Sequence, residues 1–238
     1  MNYEITPQLL REIAGVPVSK SIVEHLSEYL PQVMDEYEIN TRLRIAHFLA
    51  QIAHESAHFR TLEEYASGAA YEGRKDLGNV VKGDGRRYKG RGVIQLTGRH
   101  NYRKYGRLIG VDLENNPTRA AEPEISLRTA AEFWKQNNLN ALADRDDVRA
   151  ITRRINGGFN GLQDRMNKLA RAKRSLKNNA NSRVKESIPT PKVAIDQATK
   201  TLNRQVESKV EPIVNETPDV NELPTFVRMD LERNNGQT

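Results

Sequence analysis

The chain has 238 residues, 37% of them hydrophobic, which suits one well-packed core or two small ones, and no run reaches the roughly eighteen uninterrupted apolar residues of a membrane-spanning helix. It has no cysteine, which excludes disulfides and thiolate metal sites and leaves the fold to packing alone. Its 37 basic and 31 acidic side chains give a formal net charge of +6, an excess that suits an anionic partner such as nucleic acid, a membrane surface or a bacterial wall, and equally suits ordinary solubility.

The N-terminus, MNYEITPQLLREIAGVPVS, has early acidic residues and lacks the basic lead and apolar stretch of a secretory signal. The expectation is a protein made in a cytoplasm and left there unless something else releases it. Thr6-Pro7 is a helix-start signal for residues 6–14, and Ile22, Leu26, Tyr29, Leu30 and Val33 repeat at spacings of three and four over residues 19–36. The clearest helical pattern runs from Leu43 to Phe59, with Ile45, Phe48, Leu49, Ile52 and Phe59 on one stripe. A polar, irregular segment follows over residues 66–97, long enough to suggest a functional loop, and within it only VIQLT (93–97) resembles a short strand. Helical patterns return over residues 125–138, 146–155 and 161–177.

A mainly α fold is therefore predicted for residues 1–178, with a small irregular or β segment, followed by an extended tail over 179–238. The tail holds half of the ten prolines and a single aromatic, Phe226, too little to bury a core of its own. Residues 180–238 carry 8 basic and 9 acidic side chains, so the positive excess belongs to the folded part. The tail reads as a flexible appendage or as an anchor that orders on a partner. The basic stretch Lys168 to Lys177 reads as a charged solvated face or a contact to anionic lipid or wall polymer. No aromatic platform is interleaved with the basic residues and no nucleic-acid motif is present, so no nucleic-acid partner is expected.

The chemistry concentrates in two stretches, RIAHFLAQIAHESAHFRTLEEYA and YKGRGVIQLTGRHNY. Glu55 and Glu64 form the layout of a carbohydrate-cleaving site, in which one carboxylic acid protonates the leaving oxygen and a second carboxylate activates water. On a helical wheel Glu55 falls about 60° from Ile52 and about 40° from Phe59, at the edge of the apolar stripe. Apolar contact there should raise its pKa, as a general acid requires. Glu64 lies past the helix end, where an open, polar setting would keep it ionised as a base. Gln95 and Thr97 sit in a polar turn able to hold water or a sugar hydroxyl, and Asn156-Gly157-Gly158 is a second polar loop at a helix end. The alternative to two catalytic carboxylates is two surface charges, the ordinary place for glutamate.

A competing pattern overlaps the first. His54-Glu55-Ser56-Ala57-His58 satisfies H-E-x-x-H, the zinc-peptidase arrangement of two imidazoles one helical turn apart, with Glu72 at a plausible spacing for a third ligand. Two solvated histidines on a polar helix face fit the same spacing. The zinc reading also leaves KGRGVIQLTGRHNY without a role.

Five motifs in order, AQIAHES, TLEEYASGAAYEGRKDLGN, YKGRGVIQLTGRHNY, INGGFNG and QDRMNKL, resemble glycoside hydrolase family 19, in particular its small phage and bacterial endolysins alongside the plant-type chitinases. The resemblance spans roughly residues 40–175. It implies a lysozyme-like helical fold, no metal or other cofactor, and inverting hydrolysis of a β-1,4 bond beside an N-acetylated sugar. It makes Glu55 the general acid, Glu64 the general base and Thr97 a holder of the attacking water. Gln95, Asn101, Tyr102 and Asn156 would line the sugar cleft, Arg165 would support the carboxylates, His54 would stand behind them and His58 would be incidental. Two features depart from the chitinase pattern: Ala57 and His58 stand where glycines often follow the HE segment, and the disulfides of secreted plant forms are missing. The expected protein is a phage-type endolysin with a monomeric catalytic domain, cutting peptidoglycan glycan strands after lysis or from a virion, its tail either a flexible appendage or an anchor to a phage structural protein. A chitinase, a zinc peptidase and a non-catalytic virion or wall-binding module are the alternatives.

Overall fold

The computed structural model describes residues 3–186. Most of the predicted tail, from residue 187 on, lies outside the described residues, and so do both readings made of it.

Hydroxyl caps start the first three helices. Thr6 Oγ1 accepts from Leu9 N at 3.1 Å to open α1 (Pro7–Ala14), with Pro7 in the first turn and Gly15 (φ 69°) closing it. Ser19 and Thr41 cap α2 (Lys20–Glu36) and α3 (Arg42–Glu55) in the same way. Each cap satisfies an amide that has no partner inside the helix. The sequence pattern placed all three starts within a residue.

Further along come the short α4 (Asp84–Arg87), then α5 (Arg99–Ile109), α6 (Pro123–Gln136), α7 (Leu139–Asp144), α8 (Val148–Asn156) and α9 (Leu162–Glu186). Helix α9 runs past residue 178, where the sequence pattern ends the domain. The α3 helix is the spine. It packs most extensively on α9, while α2 packs on α6 and α1 on α9. Ile45, Phe48, Leu49 and Ile52 of α3 meet Leu169, Ala172 and Leu176 of α9 in one core that also takes in α1, α2 and α6. Phe48 and Trp134 meet edge to face, with centroids 5.4 Å apart. Truncating Phe48 to Ala would cost about 3–5 kcal/mol.

Three expectations change. Helix α3 ends at Glu55 rather than Phe59: Ser56 caps it, and Ala57, His58 and Phe59 then adopt left-handed φ values of 49°, 64° and 60°. Each non-glycine residue in that conformation costs about 1–2 kcal/mol. The turn persists because Ser56 Oγ donates to Ile52 O (2.7 Å) and accepts from Phe59 N (3.1 Å), and because the Phe59 ring is fully buried. Residues 93–97 form no strand. Gly92 (φ 79°) and Gln95 (φ 55°) curl the chain, leaving isolated bridges from Arg91 to Glu63 and to Leu96. Finally, α5 and α7 have no counterpart in the sequence pattern. The buried face of α5 offers Asn101, Tyr102, Tyr105 and Gly106 rather than an aliphatic stripe, and α7 has only 6 residues.

Candidate active site

Because α3 is buried along almost its whole length, its polar side chains need partners inside the protein. His47 meets Asp146 of the α7–α8 turn, Nε2 to Oδ1 at 2.7 Å. One turn further on, Gln51 Oε1 accepts from Arg165, and after another turn Glu55 Oε1 accepts from the second amino group of the same guanidinium. The Glu55 side chain is 4% exposed and that of Arg165 is 0%. The apolar setting expected for Glu55 is thus replaced by a buried ion pair. Glu55 Oε2 makes no hydrogen bond among the described residues.

Beside this pair runs a second one. His54 Nδ1 lies 2.6 Å from Asp164 Oδ2, and Lys168 Nζ donates to both Asp164 oxygens at 2.6 and 2.7 Å. Burial pushes the Asp164 carboxyl up, but the hydrogen bonds from His54 and Lys168 outweigh it and hold the group well below the usual carboxylate range. Lys168 is therefore a buried structural cation rather than part of a solvated face. Gly161 makes this packing possible: at φ 67° a Cβ would sit 2.3 Å from His54 Cε1.

Glu64 is also buried, 9% exposed, and not in the open setting expected from sequence. Its Oε1 accepts from Tyr71 OH at 2.8 Å and its Oε2 from Gly90 N at 3.0 Å. Burial first, then the Glu64 charge, pushes the Tyr71 hydroxyl above the ordinary tyrosine range, so it remains a donor. Backbone bonds tie the two segments together, Glu64 N to Gly90 O and Gly92 N to Leu62 O, at 2.9 and 2.7 Å.

Gln95 belongs to the same cluster: a Cβ on Gly90 would lie 2.9 Å from Gln95 Oε1 and 3.1 Å from Glu64 Oε2. Thr97 is fully buried and its hydroxyl donates to Gln95 O at 2.9 Å, which places it as a clamp on the left-handed Gln95 rather than as a free water holder. Asn101 Nδ2 donates to Thr97 O at 2.9 Å, leaving its buried Oδ1 without a partner among the described residues. Asn156 behaves alike: Nδ2 donates to Asn160 O at 3.1 Å and Oδ1 has no partner among them. Such orphaned buried acceptors are the groups a polar ligand would satisfy. Tyr102 departs from the expected sugar contact. Its hydroxyl donates to Lys89 O at 2.6 Å and accepts from Arg91, and its ring is fully buried, so it supports the loop from beneath.

The zinc arrangement does not form. His58 lies beyond the helix end in the left-handed turn, so the two imidazoles are not one helical turn apart. Both carboxylate oxygens of Glu72 are taken by the amides of Gly83 and Gly85 at 2.5 and 2.9 Å. Among the described residues no group of three or more metal-ligating side chains comes together.

Sequence reasoning passed over Tyr71, Gln51 and Asp164. Gln51 stands one helical turn before Glu55, and Asp164 stands beside Arg165; those spacings were the available signals. The tyrosine in GAAYEG gave none, because the 3-10 turn (Ala69–Tyr71) that aims it at Glu64 has no periodicity.

Residues 30–146 match the family model described as chitinase class I. A glycosyl hydrolase family 19 domain-containing protein of Haemophilus influenzae is 39% identical over 109 residues, 46% of this chain and 52% of the relative. An endochitinase of Solanum tuberosum is 39% identical over 112 residues, 41% of this chain and 34% of its own. The chain spans about half or less of the length of these curated relatives. In three dimensions it is similar to chitinase C from Streptomyces griseus, with a TM-score of 0.56 and 22% identity over 74% of this chain and 93% of that one. A class IV chitinase from Zea mays gives a TM-score of 0.53 and 24% identity, covering 74% and 92%. The chain is thus similar to glycoside hydrolase family 19, the chitinase-like glycosidases, and its described residues share the helical fold of the solved chitinases.

Proposed function

We propose that the protein hydrolyses β-1,4 bonds in the glycan strands of peptidoglycan, in the manner of an endolysin, by a single inverting displacement. The observation that carries this reading is a pair of buried carboxylates, Glu55 held by Arg165 and Glu64 by Tyr71 and Gly90, in a chain similar to family 19. Glu55 is the general acid. Arg165, itself held by Gln51, fixes the Oε1 side and leaves Oε2 to meet the leaving oxygen. Glu64 is the general base: its two donors, Tyr71 OH and Gly90 N–H, are neutral, and they hold an acceptor in place without supplying a competing positive charge. The orphaned acceptors of Asn101 and Asn156 receive sugar hydroxyl or amide protons.

Chitin oligomers are the second reading, favoured by the name endochitinase carried by plant relatives such as that of Solanum tuberosum. The chemistry is the same on either polymer. Release by lysis or from a virion, and a phage partner for the tail, remain part of the endolysin proposal. Purified protein incubated with bacterial sacculi should release new reducing ends, and Glu55→Gln should lower that release by about 10²–10⁴-fold. Undiminished release by the variant would end the hydrolase reading.

A further inference from the structure

A concavity of about 640 Å³ opens on the 81–99 segment, and neither Glu55 nor Glu64 lines it. Four cations face it, Lys82, Arg86, Arg87 and Arg99, against one carboxylate, Asp84. Their pairing is uneven. Arg99 grips Asp84 with two bonds of 2.9 and 2.6 Å and also reaches Glu114 at 3.2 Å. Among the described residues Arg87 has only neutral hydrogen-bond partners: Nε donates to Tyr88 OH at 3.1 Å and the terminal amino group to Asn115 O at 3.0 Å. Lys82 and Arg86 are exposed and form no ion pair among the described residues. Asp84 is thus already neutralised, and three further positive charges line one concave wall with no carboxylate partner among the described residues. A concave surface of one sign concentrates field and attracts the opposite charge. Guanidinium groups held by neutral partners are suited to carboxylate recognition.

The position of the concavity links it to the carboxylate site. Tyr88 forms part of its wall, and Gly90, two residues on, donates to Glu64. Two residues of extended chain span at most about 7 Å. The concavity and the Glu64 carboxylate are thus held by one short stretch of backbone, residues 88–90. Glycan strands of peptidoglycan carry peptides with free carboxylates, whereas chitin is uncharged.

We propose that this concavity is a subsite for an anionic substituent, a carboxylate on the peptide attached to the glycan strand, and that it makes the protein prefer a charged glycan over a neutral one. The proposal rests on the peptidoglycan reading above and names what that substrate must carry.

The test uses the full chain and the double variant Lys82→Gln/Arg86→Gln, whose exposed side chains lie outside the carboxylate networks; an unchanged melting temperature confirms folding. Hydrolysis is followed on glycan strands bearing peptides and on neutral chitohexaose. The double variant should lose about tenfold in kcat/KM on the peptide-bearing strands alone, through KM, and the wild-type advantage should shrink as salt is raised. An equal loss on both substrates, or none on either, would overturn the subsite. Calorimetric binding of a soluble muropeptide separates this outcome from failure of the hydrolase reading. If no substrate is cut, tenfold weaker muropeptide binding by the double variant still upholds the subsite, and equal or undetectable binding by both proteins refutes it.

Discussion

Replacing Arg165 with Met removes the one guanidinium that serves both Gln51 and Glu55 while keeping much of the side-chain volume. A carboxylate 4% exposed is then left without its counter-charge, and breaking a buried pair from one side costs about 3–5 kcal/mol. At roughly 2–4 °C per kcal/mol for a chain of this size, the melting temperature should fall by roughly 6–20 °C. The double variant Arg165→Met/Glu55→Gln no longer buries a charge and should recover about 1–3 kcal/mol of that loss, the size of coupling expected for residues in direct contact. Urea denaturation of the wild type, both single variants and the double variant closes the cycle. An effect of Glu55→Gln that is the same in the wild type and in Arg165→Met would show that Glu55 and Arg165 do not interact in the folded chain, and the pairing described for the acid would fall with it.

Other perturbations bear on separate contacts. Tyr71→Phe deletes only the hydroxyl that donates to Glu64 at 2.8 Å; a hydrogen bond to a charged group is worth about 1.5–3 kcal/mol, so kcat should drop roughly 10- to 150-fold with little change in fold, and a wild-type kcat would remove Tyr71 from the site. Gly161→Ala adds a methyl against the His54 ring at a left-handed position; the backbone alone should cost about 1–2 kcal/mol, and a variant as stable as wild type in urea would contradict the packing. Acid should act in two stages. His47 is held below its ordinary value of 6.5, chiefly by burial, so the stability it contributes is present above that pH and is lost as pH falls through the lower folded value. Asp164 is held below 3.8, so its contribution is intact above that value and lost as pH falls further. Between pH 5 and pH 2, Asp164→Asn should therefore lose less stability than wild type, and parallel curves would contradict the Asp164 pairing.

Much of this molecule was legible because its helices announce themselves. Hydroxyl caps at Thr6, Ser19 and Thr41 and aliphatic residues every third or fourth position fixed α1, α2 and most of α3. The same periodicity misled where it ran past Glu55, because Phe59 keeps the helical spacing on paper while Ser56 turns the backbone left-handed. That one misreading also sustained the zinc pattern, which needs an unbroken helix through His58. Helix α5 was invisible for the opposite reason: it buries tyrosines and an asparagine, a face with no aliphatic rhythm. At the site, identity was easier to read than environment. Glu55 and Glu64 stand out by motif, but the guanidinium facing one comes from more than a hundred residues away and the phenol facing the other sits in a 3-10 turn. Burial of Thr97 and Tyr102 depends on how residues 88–102 fold back under themselves, which no local pattern encodes.

A pairing of acid at Glu55 with base at Glu64 around a single attacking water fixes the stereochemistry of the first product. Proton NMR of freshly cleaved glycan, recorded before mutarotation, reads it out. Inversion at a β-1,4 bond predicts the α-anomer as the initial reducing end. An initial β-anomer would require a covalent or substrate-assisted intermediate and would contradict the assignment of the two glutamates.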